Sequence, residues 1–264
     1  MKGGKKIKDN GSWRSKLIWG VVTLAILSVL WLAVEKRSNA DLQKVVVDII
    51  DLKDKKNLLD EKLVLKRCRE YLGYDLSLST IGELDLKALE QMIGEDSRVK
   101  NAEVFVDNQH ILHIGILQKQ PIVRINSEDS AYYLDEDGGV IPLSAGATLR
   151  VPIATGSIGK YSEDRIFGNK PNNLKDVYVM AKHIYADKFL RSLIEQINVN
   201  DVGDFTLVPK VGKQQLVFGK AEFVEDRFEN LKIFYKEGMP KVGWRKYDKL
   251  VLNWEGQVVA QKDI

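Results

Sequence analysis

The chain has 264 residues, 44% hydrophobic and 29% charged, which excludes a disordered tail and fits one large or two modest folded domains. Its single cysteine, Cys68, excludes an intramolecular disulfide, so stability must come from burial. The net charge of +3 is no signature of nucleic-acid binding: six of the 40 basic residues and one of the 37 acids fall in residues 1–16, leaving 34 bases against 36 acids elsewhere.

Leu17 to Val34 reads LIWGVVTLAILSVLWLAV, 18 residues without charge or proline. As a helix it spans about 27 Å, close to the hydrocarbon core of a bilayer. Trp19 and Trp31 stand near its ends, where an indole lies at headgroup level. Leu17, Trp19, Trp31 and Val34 therefore mark an expected membrane anchor. Ser38-Asn39-Ala40 offers small residues to a signal peptidase. Signal h-regions run about 7–15 residues, however, and this stretch is longer with aromatic ends. Lys2, Lys5, Lys6, Lys8, Arg14 and Lys16 precede it against Asp9 alone, which predicts a cytoplasmic tail (1–16), one span (17–34) and an extracytoplasmic remainder.

After the span, Val45-Val46-Val47-Asp48-Ile49-Ile50 predicts a strand, broken by the polar stretch Lys53 to Asn57. Val64, Cys68, Tyr71 and Leu72 recur at helical spacing, with Gly73 as the stop. Cys68 reads as a small core residue. A polar loop, Ser77 to Gly82, leads to a helix capped by Asp85 with Leu86, Leu89, Met92 and Ile93 on one face. Ala102, Val104 and Val106, then Leu112, Ile114 and Ile116, alternate as two strands around a turn at Asp107-Asn108-Gln109. Strand, helix, helix, strand, strand makes a small α+β domain, here residues 41–125.

A single-pass chain whose first outer unit is β-α-α-β-β resembles a POTRA domain behind an anchor. Gln120 to Ile125 (QPIVRI) resembles the strand leading out of that domain in the bacterial cell-division family FtsQ (DivIB), and Tyr132 to Pro142 (YYLDEDGGVIP) resembles the hairpin opening its second, β domain. Residues 126–264 are expected to form that mixed β domain with helices and a C-terminal strand pair. The fold class is thus α+β. The Asp-Gly-Gly turn stands on its own as hairpin chemistry.

Arg150-Val151-Pro152-Ile153 reads as a short strand that Pro152 pushes toward an edge or bulge. Gly156 to Pro171 reads as a polar loop. Asn172 or Asn173 caps a helix carrying Leu174, Val177, Tyr178, Ala181, Ile184 and Tyr185. Phe189 to Ile197 runs from helix into strand. Phe205, Leu207 and Gln215 to Phe218 are strands, and Val224, Phe228, Leu231 and Tyr235 mark a helix ended by Gly238 and Pro240. Tyr247 to Trp254, a Glu255-Gly256 turn and Gln257 to Gln261 close the chain. They resemble the closing strands of the FtsQ β domain, with Leu252-Asn253-Trp254 where a leucine-arginine-tyrosine is usual.

Motifs of chemistry are decoys. Ser97-Arg98-Val99-Lys100 and Ser157-Ile158-Gly159-Lys160 both match serine-x-x-lysine, but no Lys-Thr-Gly or Ser-Asp-Asn partner accompanies them. His110 and His113, three apart on a hairpin, face opposite sides, and His183 has no acid or cysteine at ligand spacing. Glu128, Asp129, Asp135, Glu136 and Asp137 read as a solvated loop and hairpin tip before a cation site. No catalytic residue, cofactor or metal is expected.

What the chain offers is a sheet edge, whose unpaired N–H and C=O groups form a template for a partner strand. The resemblance implies that the last strands, Lys249, Leu250, Val251, Leu252, Asn253 and Trp254 with Val258 and Val259, recruit FtsB- and FtsL-like bitopic division proteins at the inner membrane and septum. Leu250, Leu252 and Trp254 share one face of that strand, facing either a partner or the core. A POTRA-bearing protein of outer-membrane assembly or secretion is the alternative, disfavoured because no long series of lipid-facing strands follows. A membrane-tethered cell-wall enzyme is disfavoured by the empty motif search.

Overall fold

A computed structural model describes residues 11–53, 57–128, 130–143, 149–244, 246–254 and 256–262. Positions 1–10 of the expected tail, 54–56 of the polar break, Asp129 of the acidic cluster and Glu255 of the last turn lie outside them. The fold is mixed α+β, and the chain divides into two compact units.

The first helix, α1, runs Gly11–Ser38, and its stretch Lys16–Lys36 is long and apolar enough to cross a membrane. None of that stretch is buried, so it is not a core helix. Its two hydroxyls bond within the helix: Thr23 Oγ1 donates to Gly20 O (2.9 Å) and Ser28 Oγ to Ala25 O (2.8 Å), which lowers the cost of placing them in lipid.

The first unit comprises Met1–Ile49, Asp60–Gly94 and Ala102–Ile116. It holds most of β1 (Lys44–Ile50), α2 (Glu61–Leu72), α3 (Leu86–Gly94) and most of β2 (Val99–Val106) and β3 (Ile111–Gln118), with sheet order β1-β3-β2. Asp60 caps α2 by accepting from Leu63 N, and Gly73 ends it in the left-handed region at φ 81°. Val64 and Cys68 are buried, but Tyr71 points to solvent. Burial pushes the Cys68 thiol up to about 11, as suits an inert core cysteine. Asp85 Oδ1 caps α3 from Ala88 N (2.9 Å). The expected polar loop instead folds into two short 3₁₀ turns, Leu76–Leu78 and Ile81–Glu83.

The second unit comprises Ile50–Leu59, Glu95–Asn101 and Leu117–Ile264. Its strands are β4 (Pro121–Asn126), β5 (Ala131–Asp135), β6 (Val140–Pro142), β7 (Ile153–Gly156), β8 (Ile194–Val199), β9 (Phe205–Pro209), β10 (Gln215–Gly219), β11 (Lys249–Val251) and β12 (Val259–Gln261). They form one sheet in the order β12-β11-β10-β9-β8-β7-β4-β5-β6. β4, β7 and β8 run parallel, as do β10 and β11. Parallel neighbours need long crossovers: β5 and β6 lie between β4 and β7 along the chain, and helices supply the other two. The chain passes from β7 to β8 through α4 (Glu163–Phe167), α5 (Asn173–Ala186) and α6 (Lys188–Leu193). From β10 to β11 it passes through α7 (Val224–Ile233), a π-helical turn (Phe234–Gly238) and α8 (Met239–Val242). Leu174, Val177 and Ile184 of α5, Phe228 and Leu231 of α7, and Leu216, Phe218, Leu250 and Leu252 meet in one apolar core.

Three local expectations are corrected. Pro152 does not force an edge: the strand starts one residue later, and β7 lies inside the sheet between β4 and β8. Pro152 contributes its carbonyl, which accepts from Arg124 N at 2.9 Å, so its missing N–H is not needed there. The segment read as a polar loop contains α4, capped by Ser162. Gly238 and Pro240 do not end the helix after Val224. Pro240 sits in the first turn of α8, where a helix has no use for an N–H, and Gly243 at φ 92° provides the stop.

Candidate interaction surface at the C-terminal sheet edge

The edge is built from three short strands. β11 adds to β10 in parallel, pairing Gln215 with Lys249, Leu216 with Leu250 and Val217 with Val251. β12 returns antiparallel, pairing Val251 with Val259, Leu250 with Ala260 and Lys249 with Gln261. β11 is therefore flanked on both sides, and β12 is the edge: among the described residues no strand lies beyond it. The opposite edge, β6, ends on Pro142, which blunts strand addition there.

The residues singled out in the sequence divide by burial. Leu250, Val251 and Leu252 are buried, and Leu250 and Leu252 are core residues that hold β11 in place. Leu252 N also donates to Val217 O (2.8 Å), extending the ladder past the end of β11. Asn253 and Trp254 are exposed; Trp254 leaves the face of Leu250 and Leu252 because regular pairing stops at Val251. Lys249, Val258 and Val259 are half-buried, and Val258 packs on the core with Ala260. At the other end of the chain, Leu17, Trp19, Trp31 and Val34 are all exposed on α1.

Beside the edge runs a surface that the hydrophobic pattern did not disclose. A groove of about 600 Å³ is lined by Phe223, Trp254, Asn253 and Asn230, with Glu222, Asp226 and Glu229 among its acids. A second of about 340 Å³ shares Asn230 and Gly256 with it and continues along Ile233, Phe234 and Val258. Phe223 is 72% exposed and Trp254 57% exposed. Phe223 precedes α7 with φ 50° and ψ 41°, the left-handed region, and makes no side-chain cap. A bulky side chain there costs about 1–2 kcal/mol relative to an ordinary conformation. The sequence signal was available: Phe223 sits one residue before the buried stripe Val224, Phe228, Leu231 and Tyr235, and so off it.

The larger groove is acidic because the base that lines it, Arg227, is engaged; the smaller groove is lined by both Glu237 and Lys241. Arg227 Nη1 donates to Phe218 O (2.8 Å) and Lys220 O (2.6 Å), and the guanidinium lies 5.4 Å from the Phe218 ring centroid. Burial holds its pKa below the usual value, with Glu222 opposing. Lys232 is held by Asp187 (2.7 Å) and Glu229 (2.6 Å). Among the described residues, neither Glu222 nor Asp226 forms an ion pair.

The decoys occupy structural posts. Lys100 pairs with Glu136 (3.2 Å) and Asp137 (2.6 Å), and Ser157 Oγ hydrogen-bonds Asp201 Oδ1. Asp135, of the acidic cluster, is buried and accepts from Asp137 N and Gly139 N. His110 falls in the turn at φ 62°, while His113 stacks on Phe105 and lies 3.1 Å from Asp107. His183 sits half-buried on α5.

The cell division protein FtsQ of Geotalea daltonii is 24% identical to this chain over 181 residues, which is 68% of the chain. The match covers 64% of that relative's length, just under two thirds. The model of the FtsQ/DivIB, C-terminal related family matches residues 120–261, more than half of the chain. That match begins at the start of β4 and ends on the edge strand β12, taking in all nine strands of the large sheet, and the chain belongs to the FtsQ/DivIB C-terminal related family.

Proposed function

We propose that the chain is a non-enzymatic, single-pass inner-membrane protein of cell division that links components of septal wall synthesis. In this reading α1 is the anchor, the tail before it is cytoplasmic, and both compact units are extracytoplasmic. The first unit, with its β-α-α-β-β order, serves as a POTRA-like module near the membrane. The second captures FtsB- and FtsL-type bitopic partners by adding a partner strand to β12. Anchoring both proteins in one membrane raises their effective concentration for each other. The observation that carries the reading is β12 as the terminal strand, among the described residues, of the sheet that the family match spans.

The test is conditional depletion with light microscopy, followed by rescue with Val259→Pro and Ala260→Pro variants. Filaments with segregated nucleoids and no septa are expected on depletion; normal septation sinks the reading. Successive N–H groups of a strand point to opposite edges, so one of the two prolines must remove an outward donor. That variant should fail to co-purify an FtsB-type partner while remaining folded. Leu252→Pro is the poorer probe, because the Leu252 N–H bond to Val217 O belongs to the sheet itself.

A further inference from the structure

From the groove beside β12 we infer that the partner surface extends along α7 and takes a basic helical segment with an apolar face. This deepens the reading above and rests on the C-terminal end of the sheet being the partner face. The two grooves meet at Asn230 and Gly256 and run from Phe223 through Asn230 and Phe234 to Glu237. Those residues follow one another at about seven, four and three positions along a helical surface, a track of about 21 Å. A long channel between a helix and a strand-end loop is the shape into which a partner helix lays its apolar stripe. Phe223, Ile233, Phe234, Trp254 and Val258 supply apolar contacts along it.

Charge chooses among helices. Glu222, Asp226 and Glu229 stand on the Phe223–Trp254 half, and Arg227 is turned onto backbone carbonyls. An acidic segment or an anionic membrane surface would be repelled there, whereas lysines or arginines flanking an apolar stripe would be steered in. The conformation of Phe223 is independent support. Glycine or asparagine would fit its left-handed backbone without strain, yet the position carries an exposed aromatic ring. Exposed aromatics in a concave site are the residue class that dominates binding energy.

The probe is a fluorescent helical peptide of about 16 residues, leucine on one face and lysine on the other, about 24 Å long. Its twin carries glutamate for lysine. Full-length protein in phosphatidylcholine nanodiscs is titrated against each by anisotropy, with empty nanodiscs as the blank. The basic peptide should bind about tenfold or more tighter than its twin. Phe223→Gly, which relieves the backbone rather than burdening it, should weaken binding about tenfold without lowering thermal stability. Glu222→Lys with Asp226→Lys should reverse the preference between the peptides. Equal binding of the two peptides, or unchanged binding by Phe223→Gly, overturns the inference. So does self-association of the chain in sedimentation that Phe223→Gly abolishes, since the occupant would then be a second copy. The β12 proline variants separate the two claims: if they block partner capture while the wild-type chain ignores the basic peptide, the groove inference falls and the edge reading stands.

Discussion

Asp187 Oδ2 lies 2.7 Å from Lys232 Nζ, tying the start of α6 to the last turn of α7. Oδ1 of the same carboxylate caps α6, accepting from Phe189 N (2.7 Å) and Leu190 N (2.9 Å). Burial raises the Asp187 pKa, but the bonds from Lys232 and the two amides outweigh it and hold the group below its ordinary value. A depressed carboxylate stabilises the fold above its unfolded pKa, and the contribution disappears as pH falls through the lower folded value. Asp187→Asn keeps a capping oxygen and removes the charge. It should cost about 1 kcal/mol at pH 7, and urea melts of mutant and wild type should converge below about pH 4. A gap that persists undiminished at low pH would show that the ion pair is not its source.

Gln118 replaces three missing backbone partners in the second unit. Its Oε1 accepts from Leu58 N (2.7 Å) and Leu59 N (3.0 Å), and Nε2 donates to Ile50 O (3.0 Å). The side chain is only 3% exposed, so water does not substitute. Gln118→Leu fills similar space but strands these backbone groups, which predicts a loss of about 3 kcal/mol. Amide exchange at Leu58 and Leu59 should accelerate more than the global loss explains. Unchanged protection at both amides would refute the assignment.

Periodic patterns were readable where burial alone decides. Val64 and Cys68 of α2, the α5 stripe, the alternation of β2 and β3 and the Asp85 and Asn172 caps stand where spacing and capping chemistry put them, while Tyr71 of the expected α2 stripe is exposed. What was not readable depends on neighbours distant in sequence. Nothing local to Pro152 announces that β7 is flanked by β4 and β8. Leu250-x-Leu252-x-Trp254 alternates as a strand, but bonding to β10 ends with Leu252 N on Val217 O, and Trp254 is exposed beyond it. Lys249 to Trp254 was legible as strand, not as a flanked one; the open edge passed to β12. The place of Phe223 off the buried α7 stripe is legible in the spacing, but its left-handed backbone is not.

Asp135 offers the opposite pH sign from Asp187. Burial pushes its carboxyl above the ordinary range, and the amides of Gly139 and Asp137 only partly oppose this. A raised carboxyl favours folding when protonated, so its ionisation weighs against the fold at neutral pH and that penalty disappears on acidification. Asp135→Asn retains the acceptor for the hairpin turn without burying a charge. It should hold or gain stability at pH 7, whereas Asp135→Ala, which leaves the turn amides unpaired, should lose about 1–2 kcal/mol. Thermal melts of the pair at pH 7 check the order, and an asparagine variant less stable than the alanine one would contradict it.

Phe223 gives the clearest separation of stability from surface function. Its left-handed backbone costs about 1–2 kcal/mol, while its exposed ring recovers little by burial within the chain. Glycine removes the steric cost but pays more entropy on folding, about 0.5–1 kcal/mol, so Phe223→Gly should gain up to about 1 kcal/mol net. Asparagine tolerates the same region with less entropy to lose, so Phe223→Asn should gain at least as much. At about 2–4 °C per kcal/mol for a unit of this size, the melting temperature should rise by a few degrees. Phe223→Ala keeps a Cβ in the strained position and should show no such rise. If all three variants melt below the wild type, the ring itself stabilises the fold, and its exposure beside Trp254 is no longer a reason to assign it to a partner.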